Sequence, residues 1–118
     1  MASSGSFEAS ARHRAGTAVI DLRGEVNRSS EEQLKAAYAE AAAQHPAGIL
    51  LNFDDVHYIN STGIAVIVGL LAEARKIGLS VTACGLSEHY KEIFEITRLS
   101  DFMKIFDDEE NAVTDVPA

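Results

Sequence analysis

Asp54-Asp55-Val56-His57-Tyr58-Ile59-Asn60-Ser61-Thr62-Gly63-Ile64-Ala65-Val66-Ile67-Val68 changes abruptly from polar to apolar residues, with Asn60, Ser61, Thr62 and Gly63 at the change. The β-branched residues after Gly63 favour a strand. Length favours a helix. Only Gly69 interrupts the run before Gly78, and Ile64, Ile67, Val68, Leu71 and Ala74 recur at helical spacing. Arg75 and Lys76 fall in the last turn, where they complement the helix dipole, and Gly78 stands where a C-terminal cap belongs. The helix start gathers unpaired backbone N–H groups, a positive dipole end and two side-chain hydroxyls at one exposed point.

Upstream, Ile49-Leu50-Leu51 between Gly48 and Asn52 is a short continuous apolar run, as in a strand covered on both faces. The residues from Phe53 to Asn60 then read as a turn leading to the helix. Ser29-Ser30-Glu31-Glu32 has the spacing of a capping box, Ser29 to Glu32, and opens a helix that Pro46 ends. Leu34, Tyr38 and Ala41 lie on one of its faces. Phe7 to Arg12 and Thr17 to Leu22 alternate with the period of half-buried strands, and a hairpin through Arg14-Ala15-Gly16 joins them. Arg23 to Asn27 is expected to end the second strand.

Downstream, Leu79 to Cys84 reads as a strand, and Ser87 caps a helix with Tyr90, Ile93, Phe94 and Thr97 on one face. Lys104-Ile105-Phe106 is expected to be a short last strand, and Asp107-Asp108-Glu109-Glu110 to begin a turn or two of helix. The alternation of strands and helices predicts an α/β fold. In an open sheet of this kind the loops leaving strand C-termini form the binding surface, and Asn60 to Gly63 is such a loop.

The 118 residues, 47% of them hydrophobic, suffice for one domain with a core of its own. No apolar run approaches the roughly 20 residues of a membrane-spanning helix, and residues 1–6 read as a flexible leader rather than a signal peptide. The formal charge of −8 argues against nucleic acid or an anionic membrane as a direct partner. Cys84 has no possible internal disulfide partner and lies in an apolar stretch, which predicts a buried, reduced thiol suited to the cytosol.

No enzyme constellation stands out. His13, His45, His57 and His89 are scattered without metal-motif spacing, so no metal or cofactor is expected, and Asp54-Asp55 reads as a solvated pair in a loop. The Asn60 to Gly63 step has two readings. One is a plain helix cap, Asn60 or Ser61 with Gly63 allowing a tight entry. The other is a phosphorylation site, where the charge of about −1.5 to −2 would be tolerated by the dipole and would change recognition without unfolding the domain.

Gly24-Glu25-Val26-Asn27 after a strand, Ile59-Asn60-Ser61-Thr62-Gly63-Ile64 at a helix start, and Gly85-Leu86-Ser87 before Ile93-Phe94-Glu95-Ile96-Thr97-Arg98-Leu99 resemble the STAS domain of bacterial anti-sigma factor antagonists. The resemblance implies one STAS domain over residues 7–113, with a mixed β-sheet of four to five strands, helices packed on it and a frayed end over 114–118. It also implies a cytoplasmic binding protein rather than an enzyme. In that family the unphosphorylated antagonist binds an anti-sigma factor that is a serine kinase, which frees a sigma factor; the kinase phosphorylates the antagonist and a serine phosphatase restores it.

By resemblance the phosphate acceptor is Ser61, with Thr62 the lesser candidate, and the partner surface takes in Asn27, Asn60, Ser61, Thr62, Gly63 and Ile64. Ile59 and Ile64 match flanking apolar positions. Asn60 and Asn27 stand where the family pattern has Asp, so each keeps a hydrogen-bonding side chain and loses a charge. These two departures motivate a second reading, a non-switching STAS subunit of a signalling scaffold or of a lipid-transport ATPase complex.

Overall fold

The alternation from Phe7 onward forms β1 (Phe7–Arg14), which folds back antiparallel onto β2 (Thr17–Val26) in a computed structural model that describes residues 7–114. The expected leader, and the expected frayed end beyond Thr114, lie outside the described residues. The hairpin turns through Ala15 and Gly16, both at positive φ, the conformation that matches the twist of two adjoining strands. Parallel pairing then adds β3 (Gly48–Ile59), β4 (Val81–Cys84) and β5 (Lys104–Phe106) in the order β1-β2-β3-β4-β5.

Each parallel step crosses over through a helix: α1 (Glu31–Ala42), α2 (Ser61–Lys76) and α3 (Glu88–Ile96). Because the strands add in one direction and such crossovers share one hand, all three helices pack on the same face. Leu34 of α1, Ile67 of α2 and Phe94 of α3 meet Ile20, Ile49, Leu51 and Phe53 there. Phe53 and Phe94 pack edge to face, with ring centroids 5.9 Å apart. The other face of the sheet presents Val19, Leu50 and Cys84, which α4 (Glu109–Thr114) covers with Ala112 and Val113. Ile49, Leu50 and Leu51 are therefore buried on both sides, which accounts for their unbroken apolar run.

Cys84 is buried as expected, and burial together with nearby acidic groups pushes its thiol up to about 12, so it stays protonated. The acidic cluster at α4 is not merely solvated. Glu109 bonds Arg12 and Arg14, Glu110 bonds Arg14, and Arg12 also grips Asp21 on β2 at 2.6 Å. The Arg12 hydrogen bond, helped by Arg14 and opposed by burial, holds the Glu109 carboxyl down at about 2.

Three expectations need correction. Residues 53–59 are strand rather than turn: β3 continues to Ile59 because β2 also runs on through Arg23–Val26 and pairs with Asp55–Ile59. β4 pairs only as far as Asn52, so this extension is a ribbon whose Asp54, Asp55, His57 and Tyr58 are exposed, and their polarity imitates a loop. The capping box at α1 is Asn27 with Ser30, not Ser29 with Glu32, since a 3₁₀ turn at Arg28–Ser30 precedes the helix. Leu34, Tyr38 and Ala41 do share the core-facing side of α1, where buried Ala37 joins them. β4 starts at Val81 rather than Leu79, because the Leu79 N–H is used to close α2 on the Ala74 carbonyl, with Gly78 left-handed between them.

Candidate functional site at the start of the second helix

Asn60 is the single residue between β3 and α2, so the strand delivers the chain directly into the helix. Its extended backbone lets the side-chain oxygen turn back over the first turn. There it accepts the Gly63 N–H at 2.8 Å and the Thr62 hydroxyl at 2.7 Å. This is an N-cap in the ordinary sense, and the amide serves it about as well as a carboxylate. Ile59 is buried in the main core beneath the junction, and Ile64 is half-buried against the same core, so both pack the loop.

The β2–α1 turn closes over this helix start. Asn27 Oδ1 accepts the Ser29 N–H and hydroxyl, while Ser30 Oγ accepts the Asn27 N–H at 3.0 Å. The Arg28 N–H then donates to Thr62 Oγ1 at 3.1 Å, tying the turn to α2, and the Asn60 N–H donates to the Val26 carbonyl. The two sequence motifs, 24–27 and 59–64, thus come together as one junction.

Gly63 explains how close they come. Its place in the pattern suggested a residue easing the entry to the helix, yet it is not among the positive-φ residues. A Cβ there would lie 2.1 Å from the Val26 carbonyl oxygen and 3.2 Å from the Asn27 nitrogen. The glycine is required by close backbone approach, and it is buried.

Ser61 is the exposed residue of this constellation whose hydroxyl makes no hydrogen bond among the described residues. Thr62 is exposed as well, but its hydroxyl both donates to Asn60 and accepts from Arg28. Neither 26–30 nor 59–64 contains a carboxylate, and Arg28 is exposed without an ion pair among the described residues. Arg28 and the N-terminal dipole of α2 bring positive charge to the junction itself, with Glu25, Glu31 and Glu32 just outside it in sequence.

Tyr90, which the sequence suggested only as part of a packing face, has a second part here. Its hydroxyl accepts the Ile59 N–H at 2.9 Å, and so α3 holds the last residue of β3. Nothing in the helical spacing of Tyr90 signals that contact. Among the described residues Asp55 reaches only Arg23, at 3.7 Å, and His13, His45, His57 and His89 are all exposed. Among the described residues no group of three or more His, Cys, Asp or Glu side chains is placed to hold a metal, and no helix is long and apolar enough to cross a membrane.

Residues 8–112 match the family model of the STAS domain. The chain belongs to the STAS-domain family. The anti-sigma-B factor antagonist of Listeria monocytogenes is 34% identical over 88 residues, covering 73% of this chain and 75% of that protein. Among solved structures, an anti-sigma factor antagonist from Mycobacterium paratuberculosis superposes with a TM-score of 0.77 at 18% identity, over 98% of both chains. The Bacillus cell fate determinant SpoIIAA in its phosphorylated form superposes with a TM-score of 0.68 at 24% identity, over 95% of this chain and 100% of that one. The expected fold, one STAS domain with a mixed sheet and helices packed on it, is the fold observed, with five strands.

Proposed function

We propose that this STAS domain is an anti-sigma factor antagonist switched by phosphorylation of Ser61. Unphosphorylated, it binds an anti-sigma factor that is a serine kinase and so frees a sigma factor in the cytoplasm. Phosphorylation ends that binding, and a serine phosphatase restores it. The chain acts here as a binding partner and kinase substrate, not as an enzyme. The observation that carries this reading is the exposed Ser61 hydroxyl, free of hydrogen bonds among the described residues, beside a Thr62 hydroxyl that is engaged on both sides.

The junction itself supplies no general base, since 26–30 and 59–64 hold no carboxylate or histidine. The proton leaving Ser61 therefore goes to a base on the kinase. A phosphate at this position meets the free N–H groups of α2 and the Asn60 cap, so the domain keeps its fold and changes its surface. Asn27, Asn60, Thr62 and Ile64 frame the docking patch, and Gly63 holds it from beneath.

The second reading, a non-switching STAS subunit of a scaffold or a lipid-transport ATPase, draws on one observation. Asn27 and Asn60 use their side-chain oxygens for internal capping, so the junction is held together without the charges of the family pattern. A pull-down from the native cell with and without ATP separates the two. Capture of a serine kinase that ATP releases supports the switch; a complex indifferent to ATP supports the non-switching subunit.

A further inference from the structure

Against the C-terminal half of α2 lies an open groove of about 960 Å³, a size comparable to sites that hold small organic ligands, roughly 300 to 1,000 Å³. One wall is apolar, built from Val68 and Leu71 of α2 with Leu99, Phe102 and Met103 ahead of β5. Val68 and Phe102 keep 47% and 61% of their surface exposed, so an apolar body laid there removes hydrophobic area from water. Thr17, Ser80 and Thr82 stand at the far rim of the groove, where the Thr82 hydroxyl donates to the Ile49 carbonyl. Thr17 is only 2% exposed, and its hydroxyl has no hydrogen-bond partner among the described residues. Such an orphan is unfavourable unless a further polar atom reaches it.

The charges of the groove invert those of the molecule. Arg75, Arg98 and Lys104 line it against one carboxylate, Asp101, in a chain with 10 basic and 18 acidic residues. Asp101 is engaged by Arg98 at 3.3 Å. Arg75 makes no ion pair among the described residues; its guanidinium lies over the Phe102 ring, 5.5 Å from the centroid. An inorganic anion would leave the apolar wall wet, and a neutral apolar ligand would leave the Arg75 guanidinium without an anion.

We propose that this groove binds an amphiphilic organic acid. Its apolar body covers Val68, Leu71 and Phe102, and its carboxylate pairs with Arg75, whose planar donors match two carboxylate oxygens. The groove lies at the other end of α2 from Ser61, about 21 Å along the helix axis at 1.5 Å per residue. The inference is independent of the role of Ser61.

The test is calorimetric titration of the full chain with dodecanoate below its micelle-forming concentration. Acetate and 1-dodecanol serve as head-only and tail-only controls. The expected result is saturable one-to-one binding of dodecanoate, no binding of acetate, and binding of 1-dodecanol weaker by about tenfold or more. Arg75→Glu and Val68→Glu change exposed side chains, so both variants fold by circular dichroism, and each weakens dodecanoate by about tenfold or more. Absence of saturable binding, or affinity unchanged in both folded variants, overturns the assignment and leaves the groove as a face for a protein partner.

Discussion

The two ends of α2 are built on opposite plans. At the N-terminal end, backbone meets backbone: Gly63 lies under the Val26 carbonyl, and two asparagine caps and Thr62 tie the β2–α1 turn to the helix start. At the C-terminal end, long side chains surround open space, with Arg75 over Phe102 and exposed Val68 beside them. The tight end leaves one exposed hydroxyl, that of Ser61, without a hydrogen bond among the described residues. The open end has room for a ligand but fixes little. Rigidity and capacity are thus divided along one helix.

The sharpest way to break this contrast is to put a methyl group into the tight end. Gly63→Ala is expected to cost about 3 kcal/mol through a clash with backbone that cannot move aside, lowering Tm by roughly 10 °C. Thermal unfolding checks it, and an unchanged Tm would mean that the close approach carries no weight. At Ser61, a negative charge should act on binding rather than on folding. Ser61→Asp is expected to lose ~2 to 4 kcal/mol of affinity for the kinase, roughly 30- to 1000-fold, while Ser61→Ala binds like the parent and takes up no phosphate.

Smaller effects separate the cap from the switch. Asn60→Ala removes the acceptor for the Gly63 N–H and should cost about 1 kcal/mol in denaturant unfolding, whereas Asn60→Asp should cost nothing. The weakest expected effect lies away from both ends of α2, at α4. The folded Glu109 carboxyl titrates at about 2 instead of 4.5. A lowered carboxyl pKa contributes stability that is complete above about pH 4.5 and lost as pH falls toward 2. Glu109→Gln should therefore lower stability by about 1 kcal/mol at neutral pH and change nothing near pH 2. Unfolding midpoints across that range test this, and binding at Ser61 should be indifferent to it.

Much of the tight end was legible in the sequence because its determinants are local. Asn60, Gly63 and the apolar spacing from Ile64 to Ala74 stand within one helix and its cap, where residue type and period carry the signal. The reason for Gly63 was not legible, since it depends on Val26, a neighbour only in the folded chain. The strand extension from Phe53 to Ile59 was missed for a related cause. Its exposed polar residues are those of a loop, and only pairing with β2 makes it a strand. The α1 cap was misplaced by a few residues because Ser29-Glu32 and Asn27-Ser30 offer the same spacing, and the 3₁₀ turn chose between them. The groove left no sequence pattern at all, because Val68, Arg75 and Phe102 come together only in the folded chain.

The central claim is that Ser61 is the switch. Incubating the full chain with its captured kinase and ATP, then mapping phosphate by mass spectrometry while following the complex, tests it most directly. One phosphate is expected, on Ser61, appearing as the complex dissociates. Phosphate on another residue with Ser61 unmodified, or a complex that persists after Ser61 is phosphorylated, would contradict it.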